Sequence, residues 1–180
     1  MGVIFVSGVY GVGKDTLCNK LSNFLKVPFY SAGDLISKYN GETYGRNKSV
    51  QNVDNNQTIL IAEVESILKE EKSILLAGHF VIFDKNNHIK SIELSVFKEM
   101  HIDCILHLAA DLEQIQNHLR LRDSKTYDIS DLDKLSWTEK SCAKKCAEII
   151  GVDYIDHSMK YDDTDYKILG TKLRRYIKNV

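Results

Sequence analysis

Apolar residues follow two patterns along the chain. Unbroken runs at Val3-Ile4-Phe5-Val6, Ser73-Ile74-Leu75-Leu76-Ala77 and Ile102 to Ala109 read as strands covered on both faces, because a strand with one wet face would alternate apolar and polar residues. Between these runs the spacing changes to three and four. Leu17, Leu21, Phe24 and Leu25 form one such stripe, and Ile59, Leu60, Val64, Ile67 and Leu68 another, as amphipathic helices require. The predicted order is strand 2–7, helix 14–26, strand 27–30, a helix to about 39 and a helix over 55–71. Strand 73–77, a small hairpin within 80–92, helix 94–100 and strand 102–109 follow. Helices over 111–121 and 131–149, strand 152–155 and a helix over 163–178 complete the chain.

Local chemistry supports several of these boundaries. Ser31 and Asp34 form a Ser-x-x-Asp start, close to a capping box. Asp111 and Glu113 suit the positive end of a helix, and Gly151 suits a left-handed C-terminal cap. The last helix places Asp162, Asp163 and Asp165 at its start and Lys172, Arg174, Arg175 and Lys178 toward its end, the order its dipole favours. Residues 40–54 are polar and rich in Gly, Asn and Lys, as a surface segment is.

Strands alternating with helices predict an α/β fold of three layers: a five-stranded parallel sheet with helices on both faces. Ligands in such folds sit beyond the carboxyl ends of the strands. Functional residues are therefore expected at 8–16, 31–37, 77–84, 109–111 and 156–160.

Length adds one constraint, since 180 residues suit a single domain. A net charge of -1 gives no electrostatic reason for a nucleic-acid or membrane partner. No apolar run approaches the roughly 20 residues of a membrane span. The first residues lack the basic region and cleavage site of a signal peptide, so Val3 to Val6 is read as a core strand. Cys142 and Cys146, four apart on a predicted helix, have neither zinc-knuckle nor CxxC spacing, so they and Cys18 and Cys104 are read as free thiols. A reducing cytoplasmic setting is the expectation.

The chemistry-bearing stretch is Gly8-Val9-Tyr10-Gly11-Val12-Gly13-Lys14-Asp15-Thr16, set between the first strand and the first helix. Strand, glycine-rich loop and helix are the context of a phosphate-binding loop. Its glycines let the backbone turn its N–H groups into one cavity, and the helix start adds unpaired N–H groups and a positive dipole end. Lys14 supplies a mobile charge for terminal phosphates. The pattern calls for Ser or Thr directly after the lysine; here Asp15 precedes Thr16, and either can serve as a Mg2+ ligand.

Three patches give the chain a family resemblance: the loop at 8–16, Ser31-Ala32-Gly33-Asp34-Leu35, and Ile115-x-x-His118-Leu119-Arg120-Leu121-Arg122-Asp123. Together they resemble P-loop kinases of the nucleoside-monophosphate type, in particular archaeal-type adenylate kinases and nuclear adenylate-kinase-like proteins. The resemblance implies ATP held with Mg2+ by Gly8, Gly11, Val12, Gly13, Lys14, Asp15 and Thr16. It implies an acceptor-side insertion at about 34–71 and a lid at about 120–131 carrying Arg120 and Arg122. Lys14 and the two arginines would stabilise charge on the transferred phosphoryl group. It also implies a small-molecule, nucleotide-like acceptor.

The chain departs from that family at informative places. His118 stands at the first lid arginine, Ser37 where an AMP-gripping arginine belongs, and Ala77-Gly78-His79 where the family carries an aspartate. These departures weaken AMP as acceptor more than they weaken ATP as donor. Asp34 is either a helix cap or the general base a hydroxyl acceptor would need. Arg46 and Lys48 read as solvated loop residues or as contacts to an acidic acceptor, and His79 as a packed histidine or an acceptor contact. His157, Ser158 and Met159 fall where the family's adenine ring lies. Trp137 is assigned to the core. Two alternatives accompany the kinase reading: an ATP-binding switch or slow ATPase acting through a protein partner, and a kinase for a hydroxyl acceptor with Asp34 as base.

Overall fold

The computed structural model describes residues 2–40, 53–84, 88–123 and 127–178. Five parallel strands form the central sheet: β1 (Gly2–Ser7), β2 (Phe29–Ser31), β3 (Ser73–Ala77), β6 (Ile102–Ala109) and β7 (Asp153–Ser158), in the spatial order β2-β3-β1-β6-β7. A separate antiparallel pair, β4 (Val81–Phe83) and β5 (Ile89–Ser91), is the predicted hairpin. The helices are α1 (Lys14–Leu25), α2 (Ala32–Asn40), α3 (Val53–Leu68), α4 (Leu94–Glu99), α5 (Leu112–Asp123), α6 (Ile129–Ile150) and α7 (Asp163–Leu173).

The unbroken apolar runs behave as expected. Along β1, Ile4 and Val6 join the core on one face of the sheet, while Val3 and Phe5 join the core on the other. Strand β3 divides likewise, with Leu75 and Ala77 on the first face and Ile74 and Leu76 on the second. The first face packs against Leu17, Cys18 and Leu21 of α1 and Leu169 and Leu173 of α7; the second packs against Leu60, Val64 and Leu68 of α3 and Val96 and Phe97 of α4. Each large side chain so buried contributes about 1.5–3 kcal/mol. All four cysteines are free; Cys18, Cys104 and Cys146 are buried and Cys142 is half-buried.

Boundaries shift where tertiary contacts outweigh local preference. The predicted strand 27–30 pairs with β3 only over Phe29–Ser31. The predicted helix 163–178 stops at Leu173 and closes with a 3₁₀ turn over Arg174–Tyr176. The reason lies in the neighbouring strand ends. Arg175 and Tyr176 both bond to Asp153 of β7, at 3.0 and 2.6 Å, and Lys178 pairs with Asp103 of β6 at 2.6 Å. Two of the four basic residues assigned to the helix dipole thus anchor the chain end to the sheet. Asp111 and Asp162 cap α5 and α7, accepting from the N–H groups of Gln114 and Thr164. Gly151 closes α6 at φ 74. Trp137 does not join the core. It stands 72% exposed on α6, because the inward stripe of that helix runs through Leu132, Leu135, Glu139, Ala143 and Cys146.

One buried pair makes stability depend on pH. His107 of β6 is 3% exposed and its Nδ1 lies 3.2 Å from the Ser7 hydroxyl of β1. Burial lowers its pKa from 6.5 to about 4. The unfolded chain therefore binds a proton that the folded chain refuses, so the contribution of this group to stability falls as pH drops from about 6.5 to about 4. A His107→Gln variant is expected to lose that part of the slope in urea titrations across this window; an unchanged slope would exclude His107 as its source.

Candidate active site

The order of the strands decides where a ligand can enter. From β1 the chain runs out through α1 to β2, on the far side of β3. From β3 it later passes to the other side, to β6 and β7. A crevice opens at the carboxyl ends of the strands at such a reversal. Here it is a cleft of about 730 Å³.

Its floor is the loop between β1 and α1. Gly8, Gly11 and Gly13 have φ of 148, 78 and 91, and side chains other than glycine rarely adopt these values. Gly13 is the N-terminal cap of α1 and offers no side chain to its N–H groups. Leu17 is the first helical residue to bond back to it, N–H to the Gly13 carbonyl at 3.0 Å. The first turn therefore directs its remaining N–H groups and the positive dipole end toward the cleft. Lys14 is 9% exposed and curls over the loop, its Nζ donating to the carbonyls of Gly8 and Val9 at 2.7 and 3.1 Å. Asp15 and Thr16 line the cleft and are exposed.

A buried carboxylate holds this loop against the next strand end. Glu139 of α6 is fully buried and accepts from Gly8 N–H at 3.1 Å, Phe80 N–H at 2.9 Å and Val81 N–H at 2.8 Å. Burial raises its pKa from 4.5 to about 7, against the pull of those N–H groups and the Lys14 ammonium toward the charged form. Sequence reading missed Glu139. Its signal was a carboxylate at a helical interval within the apolar stripe of α6.

The remaining walls come from five directions. Asp34 projects from the first turn of α2 into the cleft. His79, after β3, also lines it, with its ring 4.3 Å from that of Tyr10. Arg122 of α5 reaches the cleft wall, with its guanidinium held by Asp123 at 2.6 and 2.7 Å. His118, at the position of the missing lid arginine, sits 3.0 Å from the Gly11 carbonyl instead. Its ring edge meets Tyr161. Tyr161 has φ 63, a left-handed conformation fixed by Asp165, which accepts the N–H groups of Lys160 and Tyr161. Asp165 also takes His157 at 2.8 Å, so that histidine braces the turn after β7. The Tyr161 hydroxyl is enclosed and has no hydrogen-bond partner among the described residues.

The structure brings Gly11, Gly13, Lys14, Asp15, Thr16, Asp34, His79 and Arg122 to one cavity. Gly8 and Val12 shape its floor from behind, Val12 being fully buried. Arg120 is not brought in: its guanidinium is exposed and bonds Asn117 on the same helix at 2.7 Å, because positions 118 and 122 occupy the inward side of α5. Arg46 and Lys48 lie outside the described residues. Gln57, Asn56 and Tyr161 line the cleft without having been singled out from the sequence.

This arrangement of sheet, loop and lysine defines the P-loop kinase fold. The chain belongs to the AAA_17 family, described as AAA domain, whose model matches residues 7–136. No curated protein matches the sequence. Among solved structures, a shikimate kinase from Acinetobacter baumannii in complex with shikimate is similar with TM-score 0.63 at 15% identity, over 98% of this chain and 92% of that one. A shikimate kinase from Aquifex aeolicus has TM-score 0.60 at 14% identity, over 97% of both chains. A gluconokinase from Sinorhizobium meliloti has TM-score 0.56 at 12% identity, over 97% and 94%. These likenesses establish the fold. Among the described residues no helix is long and apolar enough to cross a membrane.

Proposed function

We propose that the protein is an ATP-dependent kinase for a small alcohol, with Lys14 serving the donor and Asp34 the acceptor. The observation that carries this is the presence of the glycine loop, Lys14, Asp34 and Arg122 around one cleft. The loop N–H groups and the α1 dipole bind phosphate oxygens. The enclosed Tyr161 hydroxyl at the same end suits a further polar contact. Lys14 leaves the Gly8 and Val9 carbonyls to neutralise charge on the transferring group. Arg122 exchanges Asp123 for the same purpose, its position in the last turn of α5, within the proposed lid, making that movement short.

Asp15 and Thr16 offer oxygen ligands beside the loop, chemistry that fits Mg2+. When bound, the ion shields phosphate charge. Asp15, next to Lys14, prevents phosphates from settling without a cation.

The family resemblance points to a nucleotide-like acceptor, and the cleft favours its hydroxyl over its phosphate. Asp34 would repel an acceptor phosphate but can take the proton of an attacking hydroxyl. Ser37 gives no charge in exchange, and its hydroxyl is turned onto the Gly33 carbonyl at 2.8 Å. The similar structures named for shikimate and gluconate support an alcohol acceptor. An Asp34→Asn variant is expected to lose about 10²–10⁴-fold in kcat with ATP affinity retained, as removal of a general base does. Single-turnover transfer and ATP titration measure the two separately. Unchanged transfer would reduce Asp34 to a helix cap, and product formed only from nucleoside monophosphates would replace the hydroxyl reading with a phosphate acceptor.

A further inference from the structure

The two ends of the cleft differ in chemistry. The end over β1, β6 and β7 is polar and charged: Lys14, Asp15, Thr16, Arg122 and Asp162. The other end lies over β3 and β2, under α2, α3 and α4, and its lining changes character. Phe5, Leu60, Ile82, Ile92, Phe97 and Met100 form it, Phe5, Phe97 and Met100 as nearly buried backing, and Asp34 lines the same cleft.

This apolar end is closely packed. Phe5, Phe80 and Phe97 make a buried trio, with ring centroids 5.2 Å apart for Phe5–Phe80, 5.5 Å for Phe5–Phe97 and 4.4 Å for Phe80–Phe97. The loop after β3 rides directly on it. A Cβ at Gly78 would come within 2.7 Å of Phe5 Cζ, so glycine there lets backbone and ring meet. One polar group breaks the apolar wall. The Gln57 side-chain nitrogen is shut from solvent and has no hydrogen-bond partner among the described residues. An enclosed amide donor without a partner is destabilising, a cost that a ligand accepting from it recovers.

We infer that the acceptor is a heteroaromatic alcohol: a flat apolar ring that lies against the Phe5–Phe97 wall, with a ring-edge oxygen or nitrogen accepting from Gln57 and a hydroxyl outside the ring presented to Asp34. Nucleosides and hydroxymethyl-pyridines belong to this class. Polyhydroxylated acids do not, because each of their hydroxyls would be stripped of water against phenylalanine and methionine. This inference rests on the alcohol-kinase reading and adds the body of the acceptor to it.

The test uses the full chain with ATP and Mg2+, following ADP release and the phosphorylated product by mass. Thymidine and pyridoxine are compared with shikimate and gluconate, and benzyl alcohol serves as a ring without an edge acceptor. At least one of thymidine and pyridoxine is expected to exceed both acids by tenfold or more in kcat/KM. Gln57→Leu should cost that substrate about tenfold and leave benzyl alcohol within twofold. Ile92→Asn, at a half-buried wall position, should weaken every ring substrate; melting curves confirm that both variants fold. Preferred phosphorylation of shikimate or gluconate overturns the inference while the alcohol-kinase reading stands. So does an equal loss on thymidine and benzyl alcohol in Gln57→Leu. The failure of every ring alcohol to bind or react likewise overturns the inference alone, whereas transfer to nucleoside monophosphates with no alcohol phosphorylated overturns both.

Discussion

Replacing Lys14 with alanine is expected to abolish ATP turnover, by about 10³-fold or more, while the protein stays folded. The expectation follows from how little else at the loop end of the cleft carries positive charge toward a phosphate. Arg122 begins in the grip of Asp123, and Lys20, at the cleft margin, is bonded to Asp163 at 2.9 Å. Removing one preorganised donor to a developing anion costs about 10²–10³-fold, and removing a cation beside a transferring phosphoryl group about 10³–10⁵-fold. The structural cost is modest by comparison. The variant leaves two loop carbonyls, those of Gly8 and Val9, without the ammonium's hydrogen bonds. Steady-state ADP release together with circular dichroism checks both halves. Turnover within tenfold of the parent would remove Lys14 from the chemistry.

The second large effect is expected at Glu139. Its two oxygens accept from three backbone N–H groups, those of Gly8, Phe80 and Val81. A Glu139→Gln variant turns an NH2 group toward donors, so at least one N–H loses its acceptor and another meets a like group. Each buried donor left unsatisfied costs about 1–3 kcal/mol, and an overall loss of about 2–4 kcal/mol in urea unfolding is expected on that basis. ATP affinity should fall as well, since Gly8 is no longer tied to the loop after β3. A loss below about 0.5 kcal/mol would mean that water replaces the carboxylate at no cost.

The same variant has a pH signature with a definite sign. The Glu139 carboxyl is raised from 4.5 to about 7 in the folded protein. Between those values the folded chain holds a proton that the unfolded chain has released, so this group makes stability fall as pH rises. His107 acts in the opposite direction between about 4 and 6.5. The two groups therefore oppose each other in the acid range, and each variant is expected to expose the other group's slope. Glu139→Gln should gain stability with rising pH relative to the parent, and His107→Gln should lose it. Parallel profiles for all three proteins would rule out both assignments.

The parts of this site differ in how far apart in the chain their causes lie. The loop at 8–16 was legible because strand, glycines and helix start are consecutive, and because the backbone conformation of Gly11 and Gly13 follows from their lack of a side chain. The two-faced strands were legible because apolar runs without alternation have one stable place, inside a covered sheet. Asp34 was legible as a candidate because it follows a strand directly. Arg120 and Arg122 looked equivalent in the sequence. They are two residues apart on a helix, so one faces the cleft and the other Asn117, and only the packing of α5 on the loop selects which.

Local order along the chain determined the layered α/β architecture, the phosphate loop and the position of its lysine, since each depends on neighbours within a few residues. The tertiary structure alone decided that Glu139 would reach Gly8, 131 positions away, that Tyr161 and Asp165 would close the far wall, and that Phe5, Phe80 and Phe97 would pack together at the apolar end of the cleft. Those contacts join residues with no shared local pattern. They exist because the sheet order brings α6, the turn after β7 and the α3–α4 region around the same strand ends, and burial there sets the charge, hydrogen bonding and shape of the site.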